Sequence, residues 1–286
     1  MHRRIVPPGA EELAAIVHAA LREDHAWEDA TTRATVPSEQ RMRARIVARD
    51  AGILCGLPVA TNVFRQLDPA VSLHGKQDGE RFTADEVVWE IEGRAHAILS
   101  GERVALNLVQ HLSGIATLTG RFVEAVSGTG VAVSDTRKTT PLLRCLEKYA
   151  VRCGGGVNHR MHLADMLLIK ENHIAAAGGV DIALRQALHA AAGRPVEIEV
   201  RSLDELRQAL PWKPHRVLLD HWSAEAIRTA VAWRGDDPLP EIEVSGALDL
   251  DSIRSHALPG VAILSVGRLT HSAPAIDLSL LAENLT

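Results

Sequence analysis

The sequence predicts a mixed α/β protein in two parts, an α+β N-terminal region followed by a parallel βα repeat that fits a barrel better than an open sheet. Three observations carry that expectation. Residues 42–49 alternate, with Met42, Ala44, Ile46 and Ala48 on one face and mostly arginines on the other, as in a half-buried antiparallel strand. From Val131 onward, short apolar runs alternate with helical stretches, the pattern of parallel strands covered on both faces. Each of those runs also ends in a polar residue or a glycine: Asp135-Thr136-Arg137-Lys138, Lys170, Glu199, Asp220, Ser245-Gly246 and Gly267. The carboxyl ends of barrel strands share one face, so these residues converge there and describe a site.

In chain order, Leu13, Ile16, Val17, Ala20 and Leu21 follow helical spacing after Pro7-Pro8. The alternating strand comes next. Strand-like pieces follow at Gly52–Cys55, Glu86–Ile91 and Ala95–Leu99, with a helix around Pro58–Leu67. Ser100 is placed to cap a long helix, with Glu102 in its first turn where the helix dipole favours an acid. That helix carries Val104, Leu108, Leu112 and Ile115 on one stripe and joins the two parts. The repeat then reads VAVSD and a helix through Arg152; MLLIK and a helix near Asp181–Ala192; VEIEV and Leu203–Leu210; RVLLD and Ala224–Trp233; EIEVSG and Leu248–His256; and VAILSVG.

Charge is unevenly distributed. From Arg137 to Lys170 there are seven Arg or Lys (137, 138, 144, 148, 152, 160, 170) against two acids, Glu147 and Asp165, in a chain of formal net charge −5. A nucleic-acid surface would need a broad basic face. A cationic island in an acidic chain suits a pocket for a small polyanion. Arginine offers a planar fork to carboxylates and phosphates, lysine a point charge, and Gly154-Gly155-Gly156 lets backbone approach a ligand. Arg144, Lys148 and Arg152, at i, i+4 and i+8, also fit a solvated helix face. Arg137-Lys138 and His159-Arg160 do not.

Composition narrows the classes further. Aromatics make up 3% of the chain, too few for base-stacking platforms. No run reaches the roughly 18 apolar residues of a membrane span. Glu11, Glu12 and His18 interrupt the N-terminal stretch, which is not read as a signal peptide. Cys55, Cys145 and Cys153 are odd in number and lack metal-ligand spacing, as expected of reduced thiols in a cytoplasmic protein.

The types at the strand ends describe a ligand. Glu199 and Asp220 either compensate the lysines or hold Mg²⁺ and ribose hydroxyls, since magnesium takes one or two carboxylates plus substrate phosphates. Ser245-Gly246 and Gly267, at the ends of the last two strands, match a barrel phosphate site built from backbone N–H groups. His159 is a proton-transfer group or a hydrogen-bond donor to a carboxylate, the donor role being favoured. No Ser/His/Asp or Cys/His arrangement supports a covalent nucleophile.

Several runs carry a further resemblance: ERVALNLVQHLSGIAT (102–117), DTRKTTP (135–141), EKYAVRCGGGVNHRM (147–161), LIKENHI (168–174), VEIEV (196–200), LLD (218–220), VSG (244–246) and SVGRLTHS (265–272). The chain resembles the quinolinate phosphoribosyltransferase family, the decarboxylating nicotinate-nucleotide pyrophosphorylases, over nearly its whole length. DTRKTTP followed by KYAVRCGGGVNHR is highly specific. The resemblance implies an N-terminal α/β sandwich over residues 1–106, an incomplete α/β barrel over 107–269, and a segment over 270–286 returning to the N-terminal domain. It implies transfer of phosphoribosyl from phosphoribosyl pyrophosphate to quinolinate, with loss of CO₂, in NAD biosynthesis. It also implies Mg²⁺ as cofactor and a homodimer, open to higher assembly, with sites shared between subunits.

Carried over residue by residue, Arg103 reaches into the partner's site to hold quinolinate, and Arg137, Lys138, His159 and Arg160 clamp its carboxylates, with Thr136 beside them. Lys138 and Lys170 face the phosphoribosyl pyrophosphate, Glu199 and Asp220 the ribose hydroxyls and Mg²⁺. Ser245, Gly246, Ala247 and Gly267 line the phosphate loops. Catalytic roles fall to Lys138, Lys170, Glu199 and Asp220. The chain departs from the family pattern at Leu142 and Ala247, where Gly is usual. It departs also at His162, at His221-Trp222 and at Arg268, and Ala247 and Arg268 border the phosphate loops. Two other readings stay open: a related transferase using another acceptor, and a non-enzymatic barrel that binds a phosphorylated metabolite. No nucleic-acid or membrane partner is expected.

Overall fold

The computed structural model describes residues 5–284. The N-terminal basic residues up to Arg4 and the last two of the expected returning segment lie outside them. The chain divides into two compact units, one of residues 1–120, 139–155 and 269–286 and one of 121–138 and 156–268. The boundary expected at 106/107 therefore lies within the first unit.

The first unit contains helices α1 (Ala10–Glu23), α2 (Ala30–Thr35) and α3 (Leu57–Leu67) and strands β1 (Arg41–Ala48), β2 (Gly52–Ile53), β3 (Ser72–Gly75), β4 (Arg81–Phe82) and β5 (Val87–Arg94). β1 forms where the alternation predicts it: Met42, Ala44 and Ile46 are buried, while Arg41, Arg43 and Arg45 are exposed. Its neighbours in an antiparallel sheet are β5 on one side and the chain's last strand, Leu278–Asn284, on the other, with β3 beyond β5. Ile46, Ile91, Trp89, Val63 and Phe64 are fully or almost fully buried. Each such side chain contributes roughly 1.5–3 kcal/mol of transfer free energy.

Two expectations need correction here. Ala95–Leu99 is not a strand but the first turn and more of helix α4 (Ala95–Ala125), which follows β5 without a break. The apolar alternation of Ala95, Ala97 and Leu99 fits either period over so short a run. Ser100 is accordingly inside the helix rather than at its cap, and its hydroxyl donates to Asp29 at 3.0 Å.

Helix α5 (Arg144–Cys153) also belongs to this unit, and it is not a solvated face. Residues 145–151 and Cys153 are all buried. Glu147 accepts from Thr140 N–H at 3.1 Å and lies 2.9 Å from the His111 ring, while the Tyr149 hydroxyl donates to Asp78 at 2.7 Å. Gly154 follows the helix because a Cβ there would stand 2.4 Å from the Ala116 carbonyl oxygen. That glycine lets the end of α5 pack closely against the backbone of α4. All three cysteines are free and buried, with Cys153 near Cys55 rather than Cys145. Leu142, in the preceding turn, has φ +70° and is exposed, which explains the glycine usual at that position.

The second unit is the parallel repeat. Its strands are β6 (Ala132–Ser134), β7 (Leu167–Ile169), β8 (Val196–Val200), β9 (Arg216–Asp220), β10 (Glu241–Ser245) and β11 (Val261–Ser265). They pair in the order β6-β11-β10-β9-β8-β7, every described pairing parallel. The barrel is incomplete: β6 and β7 are the two edges and do not pair, so the closed form favoured by periodicity alone is not reached. Six strands are short of the eight that close a full βα barrel. Helices α6 (Glu171–Ala177), α7 (Val180–Ala190), α8 (Leu203–Ala209), α9 (Ala224–Arg234) and α10 (Ile253–His256) make the connections. α6 was not foreseen, and the last helix is shorter than the expected Leu248–His256. Ser202 and Ser223 accept the N–H groups of Glu205 and Ala226, capping α8 and α9 at about 1 kcal/mol each.

Because side chains alternate along a strand, Val196, Ile198 and Val200 lie on one face of β8 and Glu197 and Glu199 on the other. β9 and β10 obey the same rule, which puts Arg216, Asp220, Glu243 and Ser245 on the polar face. Candidate site residues from distant parts of the sequence thus share one surface of one unit.

Candidate active site

The first part of the site is built on the end of β6. Asp135 is fully buried and accepts two groups from a loop more than twenty residues on, the Asn158 side chain and the His159 N–H at 2.9 Å. Val157 bridges Ser134 in parallel and donates its N–H to Val133 at 2.8 Å, so this loop extends the free edge of the sheet. The result sets Thr136-Arg137-Lys138 and His159-Arg160 side by side. Lys138 N–H donates to the Thr136 hydroxyl at 3.0 Å, tightening that turn.

Arg137 is half-buried, and its Nε is a buried donor with no hydrogen-bond partner. Arg160 donates through Nη1 to the Met166 carbonyl at 3.1 Å. Burial, and then the nearby charge of Arg137, push the Arg160 guanidinium below its ordinary value. Two guanidiniums that destabilise each other, one with an unmet donor, suit an anion lying between them.

His159 sits beneath this pair. Its side chain is 7% exposed. Nδ1 accepts the Arg160 backbone N–H at 2.8 Å, and Nε2 faces Glu197 at 3.2 Å and Glu243 at 3.5 Å. Arg216 on β9 joins the same group, 2.8 Å from Glu243 and 3.7 Å from Glu197, and the Ser265 hydroxyl donates to Glu243. Burial raises the carboxyls of Glu197 and Glu243 to about 7, against the opposing pull of Arg216. Neither glutamate was singled out from the sequence. The signal was there: in VEIEV, period two puts Glu197 on the same face as Glu199.

The second part lies at the ends of β7, β8, β9 and β10. Lys170 Nζ donates to Glu199 Oε2 at 2.5 Å, with Glu199 almost buried and Lys170 exposed. Ser245 Oγ donates to Asp220 Oδ1 at 2.5 Å, and the His221 ring is 2.9 Å from Oδ2. Burial alone would raise the Asp220 carboxyl, but those two contacts and the charges of His221 and Lys170 hold it below the ordinary carboxylate range. Two carboxyl oxygen donors beside a lysine are the hard ligands that suit Mg²⁺.

Gly246 has φ +135°, and a Cβ there would be 3.2 Å from both Cα and N of His221, so the turn after β10 admits only glycine at this position. His221 itself has φ +62° and donates its N–H to the Ser245 carbonyl at 3.0 Å. Trp222 is buried and its indole donates to the Val200 carbonyl at 3.1 Å, tying the end of β9 to β8. Ala247 and Arg268 are exposed and Gly267 is half-buried. His162 pairs with Asp165 in an exposed turn at 2.9 Å. Of the residues expected to form the site, only Arg103 belongs to the first unit, where it is exposed on α4.

Comparison with known proteins shows the family. The family profile "Quinolinate phosphoribosyl transferase, C-terminal domain" matches residues 115–281, and that for the N-terminal domain matches residues 29–113. The nicotinate-nucleotide pyrophosphorylase [carboxylating] of Mycobacterium leprae is 42% identical over 92% of this chain and 95% of its own. The human protein of the same name is 38% identical over 96% of this chain and 93% of its own. The crystal structure of NadC from Streptococcus pyogenes superposes with a TM-score of 0.93 at 39% identity, covering 98% of this chain and all of that one (100%). With both domains matched and the strand-end residues gathered on one surface, the chain belongs to the quinolinate phosphoribosyltransferase family.

Proposed function

We infer that the protein transfers phosphoribosyl from phosphoribosyl pyrophosphate to quinolinate, giving nicotinate mononucleotide, pyrophosphate and CO₂, in NAD biosynthesis. The single observation that supports this best is the Arg137–Arg160 pair, with its unmet buried donor, on the same face as the Lys170–Glu199 and Ser245–Asp220 pairs. One set suits a dicarboxylate and the other a phosphorylated sugar. In this reading Arg137, Lys138 and Arg160 hold the quinolinate carboxylates, with His159 beneath Arg160. Gly246, Ala247 and Gly267 line the phosphate site.

The pyridine nitrogen attacks the anomeric carbon as the bond to pyrophosphate breaks. Positive charge develops on the ribose, and the carboxyl groups of Glu199 and Asp220 beside it stabilise it electrostatically. Lys170 and Lys138 offset the negative charge of the departing pyrophosphate. Glu199 and Asp220 would hold Mg²⁺, which would supply further charge neutralisation for that leaving group. The ribosylated pyridinium then stabilises the electron pair left on C2 as the C2–carboxylate bond breaks and CO₂ departs, and that carbon takes up a proton from water, so no protein nucleophile is needed. Charge-assisted hydrogen bonds contribute roughly 1.5–3 kcal/mol each, so several cations are needed to hold two polyanions together.

We further propose that the protein acts as a homodimer in which the exposed Arg103 of one subunit completes the other's site. Three free, buried cysteines favour a reducing, cytoplasmic setting. Among the described residues no helix is long and apolar enough to cross a membrane. Arg137→Ala tests the assignment: quinolinate turnover should fall at least 100-fold, in line with loss of one preorganised charge contact, with the thermal midpoint little changed. Near-normal turnover by this variant would remove the basis of the assignment.

A further inference from the structure

Beneath the anion clamp lies a group of side chains that the transferase chemistry does not use. Glu197 and Glu243 are fully buried or nearly so, on the same face of the sheet with β9 between their strands, and Arg216 of β9 reaches both. Neither carboxylate oxygen of Glu197 has a hydrogen-bond partner, yet the Glu197 and Glu243 carboxylates stand 3.2 and 3.5 Å from His159 Nε2. Burying two acids costs several kcal/mol per ion unless they serve a partner. Their partners here are Arg216 and an imidazole whose other nitrogen holds the backbone of Arg160.

We propose that Glu197 and Glu243 are positioning residues: they keep the His159 proton on Nε2, so that Nδ1 stays an acceptor for the Arg160 N–H and Arg160 is presented to the acceptor's carboxylate. The reasoning turns on what an imidazole can do. A nitrogen that accepts an N–H carries no proton, so in the neutral ring the proton is on the other nitrogen. Nε2 faces the Glu197 and Glu243 carboxylates, which favours that tautomer, while the opposite one would set an N–H against the N–H of Arg160. The adjacent peptide is fixed as well, through the His159 N–H on Asp135. Residue 160 is therefore anchored at two successive N–H groups before its guanidinium reaches the site.

His159, Glu197 and Glu243 also lie close enough to suggest a cation site. The same tautomer disfavours it, because Nε2 bears the proton and offers no lone pair. Arg216 already supplies the positive charge. This assignment rests on the proposed substrate, whose carboxylate Arg160 meets, and it makes His159 a support for Arg160 rather than a donor to substrate.

The test uses the full-length protein and the isosteric variants Glu197→Gln and Glu243→Gln, which remove charge but keep shape. The expected result is a rise of about tenfold in the KM for quinolinate, with kcat and the KM for phosphoribosyl pyrophosphate changed less than threefold. In ¹⁵N-histidine protein, the His159 ring should show a protonated Nε2 and a bare Nδ1, and each variant should weaken that preference. A purely structural role would instead lower thermal stability and shift both KM values together, overturning the proposal. So would unchanged quinolinate KM in both folded variants, or a wild-type ring protonated at Nδ1. If the wild-type protein leaves quinolinate unconverted, the substrate reading falls, and the nitrogen spectrum by itself decides the tautomer claim.

Discussion

Lys170 Nζ stands 2.5 Å from Glu199 Oε2, joining the ends of β7 and β8 across 29 residues of sequence. The acid is almost buried and the lysine is exposed, so the pair places a charge at the mouth of the site and anchors it below. Removing the lysine leaves a buried carboxylate without its closest counter-charge. Lys170→Ala should therefore lose activity at least 100-fold, a size typical of one preorganised catalytic contact. Arg103→Ala should be inactive for a different reason, loss of the residue proposed to cross to the neighbouring subunit. Mixing the two variants should restore part of the activity, because a heterodimer has one intact shared site. If subunits exchange and nothing is regained, sites are not shared.

The turn after β10 gives a second expectation. Gly246→Ala would meet the backbone of His221 at 3.2 Å in a φ region that L-residues rarely adopt. The strain is on the order of 1–3 kcal/mol, borne by the loop that lines the phosphate site. Titration calorimetry with phosphoribosyl pyrophosphate should show at least tenfold weaker binding, and quinolinate binding should change little. Equal weakening of both ligands would mean a general disturbance instead.

Glu243 should make stability depend on pH. Burial and the neighbouring Glu197 raise its carboxyl to about 7 in the folded protein, from an ordinary 4.5. Between those values the folded chain keeps a proton that the unfolded chain releases. The stabilisation is thus present below the unfolded value and is lost as pH rises through about 7. Glu243→Gln has no such proton, so its urea unfolding free energy should decline less than wild type between roughly pH 5 and pH 8. Parallel declines would show that this carboxyl does not titrate as described.

Much of the site was legible because parallel strands end in short polar turns. Arg137, Lys170, Glu199, Asp220 and Ser245 could each be placed from the residue at which an apolar run stops. The buried support was not, since Glu197 and Glu243 sit inside runs read only for their apolar character. Their meeting with Arg216 depends on strand order, which no local pattern encodes. Of the readings open for helix α5, the solvated face fails at its centre for a related reason. Its basic spacing at 144, 148 and 152 fits a solvated face, but Lys148 is 1% exposed. Charge pattern describes a helix in isolation, whereas burial is set by what packs around it. At Ala95–Leu99, five residues were too few to separate the helical period from the strand period.

The central claim is best tested by a direct assay of the purified protein with quinolinate, phosphoribosyl pyrophosphate and Mg²⁺, following CO₂ and pyrophosphate together. Equal release of the two is expected, because loss of the carboxylate depends on prior formation of the ribosylated ring. Folded protein that binds phosphoribosyl pyrophosphate yet releases neither product from quinolinate would contradict the assignment and point to a different acceptor.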